Sequence, residues 1–104
     1  MTTQTIERTT LSNLVSNEEY CRKVLPFIKA DYFDIKEERV VFEEITNFVE
    51  KYKRIPTKIS LEIEVESRKD LTQDQHTKIV EIIQTLDATD VDMEWLVDTT
   101  EKFC

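Results

Sequence analysis

The chain predicts an all-α fold, a compact bundle of about six short helices around one long central helix at about residues 34–53. Three observations predict it. Apolar residues recur three, four and seven apart in several segments, the stripe of helices that bury one face. Glycine is absent from all 104 residues, which removes the residue that primed hairpin turns depend on. Side chains suited to capping (Ser16, Asp34, Thr57, Thr72) stand at the heads of these segments, where the first backbone N–H groups need acceptors.

Residues 1–5 read as a flexible tail, followed by a single helical domain over 6–104. A first helix runs from about Thr5 to Val15, with Ile6, Leu11, Leu14 and Val15 as its apolar stripe. Ser16 caps a second, with Glu19 at the capping-box position, and Tyr20, Val24, Phe27 and Ile28 share one face. Pro26 falls inside that pattern, so the helix ends near Val24 and a turn covers 26–29. Phe33 then precedes the central helix, capped by Asp34 with Glu37 three residues on. The core-facing residues of this region are Phe33, Val41, Phe42, Ile45, Phe48, Val49 and Tyr52. Lys51, Lys53 and Arg54 suit the negative end of the helix dipole, and Pro56 stops the helix. Together with Lys58 they form the chain's concentrated positive patch.

Residues 57–67 carry two periods at once. Ile59, Leu61, Ile63 and Val65 alternate with Ser60, Glu62, Glu64 and Glu66, a strand signal. A lone strand has no sheet to join, Thr57 is a suitable cap, and Ile59, Ile63 and Ser67 fit a spacing of four, so the segment is assigned to a helix. Thr72 and Gln75 open a fifth helix bearing His76, Ile79, Val80, Ile83 and Leu86. Asp90 or Asp92 caps a last one with Met93, Trp95, Leu96, Val97 and Phe103. That helix is still running where the sequence ends, so the chain reads as the front piece of a longer protein.

Composition narrows function. The net charge of −8 repels a phosphate backbone, so direct nucleic-acid binding by this segment is disfavoured. No apolar run approaches the ~18 residues of a membrane span, and no secretory signal opens the chain. Cys21 and Cys104 are far apart, and His76 is the sole histidine, so histidine-pair metal sites are excluded. A glycine-containing nucleotide loop cannot form. Glu43, Glu44, Glu62, Glu64 and Glu66 read as solvated faces. These residues point to no catalytic, cofactor or metal site, and to an acidic helical interaction module.

One family matches the helix order. Glu7 to Val15, Glu19 to Ile28, the aromatic pair Tyr32–Phe33, the Arg39–Phe42–Ile45 spacing, Tyr52 to Thr57 and Trp95 to Lys102 together resemble the N-terminal domain of DnaB-type replicative DNA helicases, most closely those of T-even-type phage primosomes. The alternating 57–67 segment departs from the family pattern. The resemblance implies an all-α domain that self-associates, as a dimer or a collar on a hexameric motor, and that docks a primase, with a helicase loader as a further partner. It implies that ATP and Mg belong to a C-terminal ATPase domain absent here, that this segment has no catalysis of its own, and that it works in phage DNA replication in the bacterial cytoplasm. Met93, Trp95, Leu96 and Phe103 are the candidate protein-interaction residues, because aromatic anchors dominate such surfaces. A free-standing acidic helical regulator that binds a basic protein is the alternative.

Overall fold

The computed structural model describes residues 3–86 and 92–103, with the side chains of 3–5 and 103 outside that description. Among the described residues six α-helices follow one another: α1 (Thr3–Ser16), α2 (Glu18–Val24), α3 (Lys36–Tyr52), α4 (Lys58–Glu66), α5 (Gln73–Thr85) and α6 (Met93–Phe103). A 3₁₀ turn, Ala30–Tyr32, lies between α2 and α3. There is no strand among the described residues, as the missing glycine and the helical stripes predict.

α3 is the spine. α1, α4, α5 and the 3₁₀ turn pack on it, and α4 packs on α5. The remaining helices build outward, since α2 packs on α1 and α6 on α2. The arrangement therefore has a second tier rather than every helix wrapping the centre. Its radius of gyration is 12.8 Å, close to the ~13 Å of a folded chain of about 100 residues. Leu11 and Leu14 of α1, Tyr20 and Val24 of α2, Val41 and Ile45 of α3, Leu61 and Val65 of α4, and Ile79 and Ile83 of α5 meet in one core with Phe33 and Leu96. Each large aliphatic side chain buried there is worth about 1.5–3 kcal/mol relative to exposure.

The helix ends differ in detail from the expectation. α1 continues through Ser16, whose Oγ donates back to the Ser12 carbonyl at 2.7 Å, so the α2 cap passes to Asn17. Its Oδ1 accepts from the Tyr20 N–H at 3.0 Å. α3 begins after Ile35, which supplies no side-chain cap. Asp34 stands one residue before that cap position, and its backbone N–H donates to Glu7 Oε1 at 3.4 Å. At the other end Lys53 adopts φ 59°, ψ 30° and donates its N–H to the Val49 carbonyl, a left-handed C-cap made without glycine. Thr57 and Ser60 cap α4 reciprocally, as Thr72 and Gln75 cap α5. Asp92 Oδ1 accepts from the Trp95 N–H at 3.0 Å to start α6; Asp90, the other candidate cap, lies outside the described residues.

Candidate protein-interaction surface

The residues expected to line an interface separate into different environments. Leu96 is fully buried in the core and is corrected from a surface residue to a packing residue. α6 is seated by Leu96 and by Thr100, whose Oγ1 shares a 2.6 Å hydrogen bond with the Tyr20 hydroxyl. Met93 is half-buried against the core, and its sulfur accepts from Asn17 Nδ2 at 3.9 Å. The side chain of Phe103 lies outside the described residues. Trp95 remains at the surface, 43% exposed.

The predicted core list is likewise divided. Phe33, Val41, Phe42 and Ile45 are buried, with the Phe33 and Phe42 rings 5.2 Å apart. Phe48 and Val49 are half-buried. Tyr52 is corrected out of the core: it is 45% exposed. Its ring lies 4.6 Å from that of Phe48, with Lys51 Nζ 5.3 Å and Arg54 Cζ 5.9 Å from its centroid. The positive patch therefore gathers over an aromatic ring, within the ~6 Å reach of a cation–π contact. Lys58 points the other way, its Nζ donating to the Gln84 carbonyl at 3.2 Å.

Among the described residues three carboxylates prove to be buried. Glu7 and Glu38 are fully buried and Glu44 nearly so, which corrects the reading of Glu44 as a solvated residue. Glu38 Oε2 accepts from Arg8 Nε at 2.8 Å, tying α1 to α3. Glu44 Oε1 accepts from Arg68 Nη1 at 3.2 Å, while Arg68 also grips Asp70 at 2.8 and 3.0 Å. Burial raises the Glu7 carboxyl above its ordinary range, and the neighbouring Asp34 and Glu38 charges raise it further. Burial also raises Glu44, against the pull of Arg68. The hydrogen bonds from Arg68 hold exposed Asp70 down to about 2. The sequence signal for these residues is positional. Glu7 precedes Leu11 by four, and Glu38 precedes Phe42 by four and Ile45 by seven, so both stand on core stripes.

Glu38 and Glu44 are paired with arginines that arrive from elsewhere in the chain, and Glu7 accepts from the Asp34 backbone N–H. Among the described residues no group of three or more His, Cys, Asp or Glu gathers in a way that could hold a metal ion. Burial pushes the Cys21 thiol up to about 11, which keeps it protonated and unreactive near neutrality. A groove of about 310 Å³ opens between α2 and α3, lined by Cys21, Leu25, Pro26, Thr46 and Val49 among others. No described helix is long and apolar enough to cross a membrane. What the surface offers is large apolar side chains: besides Trp95 and Tyr52, Phe27 projects after α2, and Ile59 and Ile63 project from α4. Sequence reasoning placed none of these last three at a surface.

An acidic domain whose described residues form helices and no strand, built on one long spine, is the architecture that the resemblance implies. A family model for the DnaB-like helicase N terminal domain matches residues 2–94. The chain belongs to this family. A DnaB-like replicative helicase of Enterobacteria phage T4 is 28% identical over 93 residues, covering 89% of this chain and 19% of that protein. The chain thus spans about a fifth of the curated relative it matches. Within this DnaB-like N-terminal domain the family match takes in α1 to α5 and ends at Glu94, so most of α6, Trp95 included, lies beyond it.

Proposed function

We propose that this chain is the assembly and primase-docking module of a hexameric, ATP-dependent replicative DNA helicase acting in phage DNA replication. In this reading it contributes contacts while catalysis, ATP and Mg belong to a C-terminal domain of the parent protein. It associates with copies of itself as a dimer or hexameric collar, receives the primase, and serves a helicase loader as a further partner in the host cytoplasm. The family match over residues 2–94 carries this reading. The charge of −8, which disfavours direct nucleic-acid contact, and the exposed aromatic Trp95 support it.

The test is a pull-down of the cognate primase by the chain, with sedimentation of the chain alone to follow self-association. Binding of the primase is expected, and clean absence of it at high protein concentration overturns the docking role. Trp95→Ala is expected to stay folded, since the indole is well exposed, and to weaken association by about tenfold, the effect of losing one aromatic anchor. A variant that folds and associates like the parent removes Trp95 from the interface. The acidic charge also suits a free-standing regulator of a basic protein. A reading frame that continues past Cys104 into a nucleotide-binding loop decides for the helicase.

A further inference from the structure

α4 is apolar on two opposite sides. Residues two apart on a helix are separated by about 200°, so the alternation of Ile59, Leu61, Ile63 and Val65 sorts these four into two pairs. Leu61 and Val65 face inward and are fully buried against α3 and α5. Ile59 and Ile63, one turn apart, face outward and are 69% and 56% exposed. A helix that needs only one buried face has no use for a second aliphatic stripe, and isoleucine is a poorer helix former than the polar residues that could stand there. The pattern is that of a helix enclosed between two apolar surfaces, of which the fold supplies one.

The surroundings identify what the other surface carries. Glu62, Glu64 and Glu66 flank the stripe, with Glu64 and Glu66 exposed and Glu62 half-buried, and no basic residue stands in the last turn of α4. Several of the nearby cations have contacts of their own. Lys58 Nζ reaches the Gln84 carbonyl, Arg68 is clamped between Glu44 and Asp70, and Lys51 and Arg54 gather over Tyr52. On α4 itself three glutamates outnumber the single lysine, Lys58, so the helix that carries the stripe is net negative.

We propose that the outward face of α4, Ile59 and Ile63 between Glu62, Glu64 and Glu66, docks a basic amphipathic helix of a partner protein. The partner helix lays aliphatic side chains one turn apart on the two isoleucines, and its lysines or arginines meet the three glutamates. This assignment rests on the reading of the domain as a docking module and places one partner surface on it.

Two synthetic, fluorescein-labelled amphipathic peptides of about 18 residues, five helical turns, test the proposal. One has a leucine stripe with lysines and the other the same stripe with glutamates. Each is titrated by anisotropy at ~0.15 M salt, where long-range attraction is screened. Saturable binding of the leucine–lysine peptide is expected, with no binding of the leucine–glutamate peptide. Ile59→Gln with Ile63→Gln, which keeps the charge and an unchanged thermal melt, is expected to weaken binding by about tenfold or more. Glu62→Gln, Glu64→Gln and Glu66→Gln together are expected to do the same. Absence of saturable binding overturns the proposal. So does equal binding to the isoleucine variant, which means charge attraction alone. A dimer of the chain that the isoleucine variant dissolves overturns it too, because a second copy then covers the face. Since the probe is a peptide and not the primase, failure here bears on the α4 face, and failure of the primase pull-down bears on the docking role.

Discussion

Replacing Arg68 with Ala removes the cation that joins the α4–α5 corner to the spine. Arg68 Nη1 lies 3.2 Å from Glu44 Oε1, with side-chain exposures of 21% and 10%, so the substitution strands a nearly buried carboxylate. Removing one partner of a fully buried ion pair costs about 3–5 kcal/mol. The partial exposure of Arg68 admits water to the gap, which brings the expectation to about 2 kcal/mol at pH 7. That is a large share of the ~5–15 kcal/mol that holds a domain of this size together, and it lowers Tm by about 10 °C. The pH dependence identifies the cause. Glu44 has its folded pKa raised by burial, so its ionised form weighs against folding above that pKa, and the burden lifts as pH falls through it. Without Arg68 the pKa rises further and the relief at low pH grows. Asp70 is held at about 2, so its contribution, lost only as pH falls toward that value, is nearly constant between pH 7 and 4. The deficit of Arg68→Ala is therefore expected to shrink by half or more at about pH 4, and Glu44→Gln added to it is expected to restore about 1 kcal/mol at pH 7. Urea unfolding at both pH values measures this. A deficit under ~0.5 kcal/mol, or one equal at pH 7 and 4, would refute the assignment of Glu44 as the stranded group.

Two further perturbations probe the ends of the scaffold. Lys53→Gly relieves a side chain held at φ 59°. A left-handed residue with a Cβ costs about 1–2 kcal/mol, and the freer unfolded glycine chain returns part of it, so a net gain of ~0.5 kcal/mol is expected as a higher urea midpoint at unchanged slope. Tyr20→Phe removes the buried hydroxyl that meets Thr100 and is expected to cost about 1–2 kcal/mol in the same assay, with less loss when Thr100→Val is added, because no orphaned hydroxyl then remains.

Much of this protein is legible in the residues. The all-α class, the spine near residues 34–53, the break at Pro26 and the capping of α5 by Thr72 and Gln75 are local matters, set by periodicity, by the missing N–H of proline and by side chains that reach three residues along the chain. The family could be approached in the same way, because its signature is packing pattern. The tertiary structure decided which stripe meets the core. Tyr52 and Phe48 lie on one helix face with Ile45, but the core ends before the last turns of α3, so Tyr52 emerges. Leu96 and Trp95 are neighbours in sequence, and only the seat of α6 on α2 sends one inward and the other out. Burial of Glu38 and Glu44 depends on Arg8 arriving from α1 and Arg68 from the loop after α4, a pairing that no local pattern encodes. The alternating stretch of α4 shows the limit most directly. The sequence determined that it carries two aliphatic pairs, and helix geometry puts them on opposite sides. Which pair is buried and which is left exposed followed only from where α3 and α5 stand.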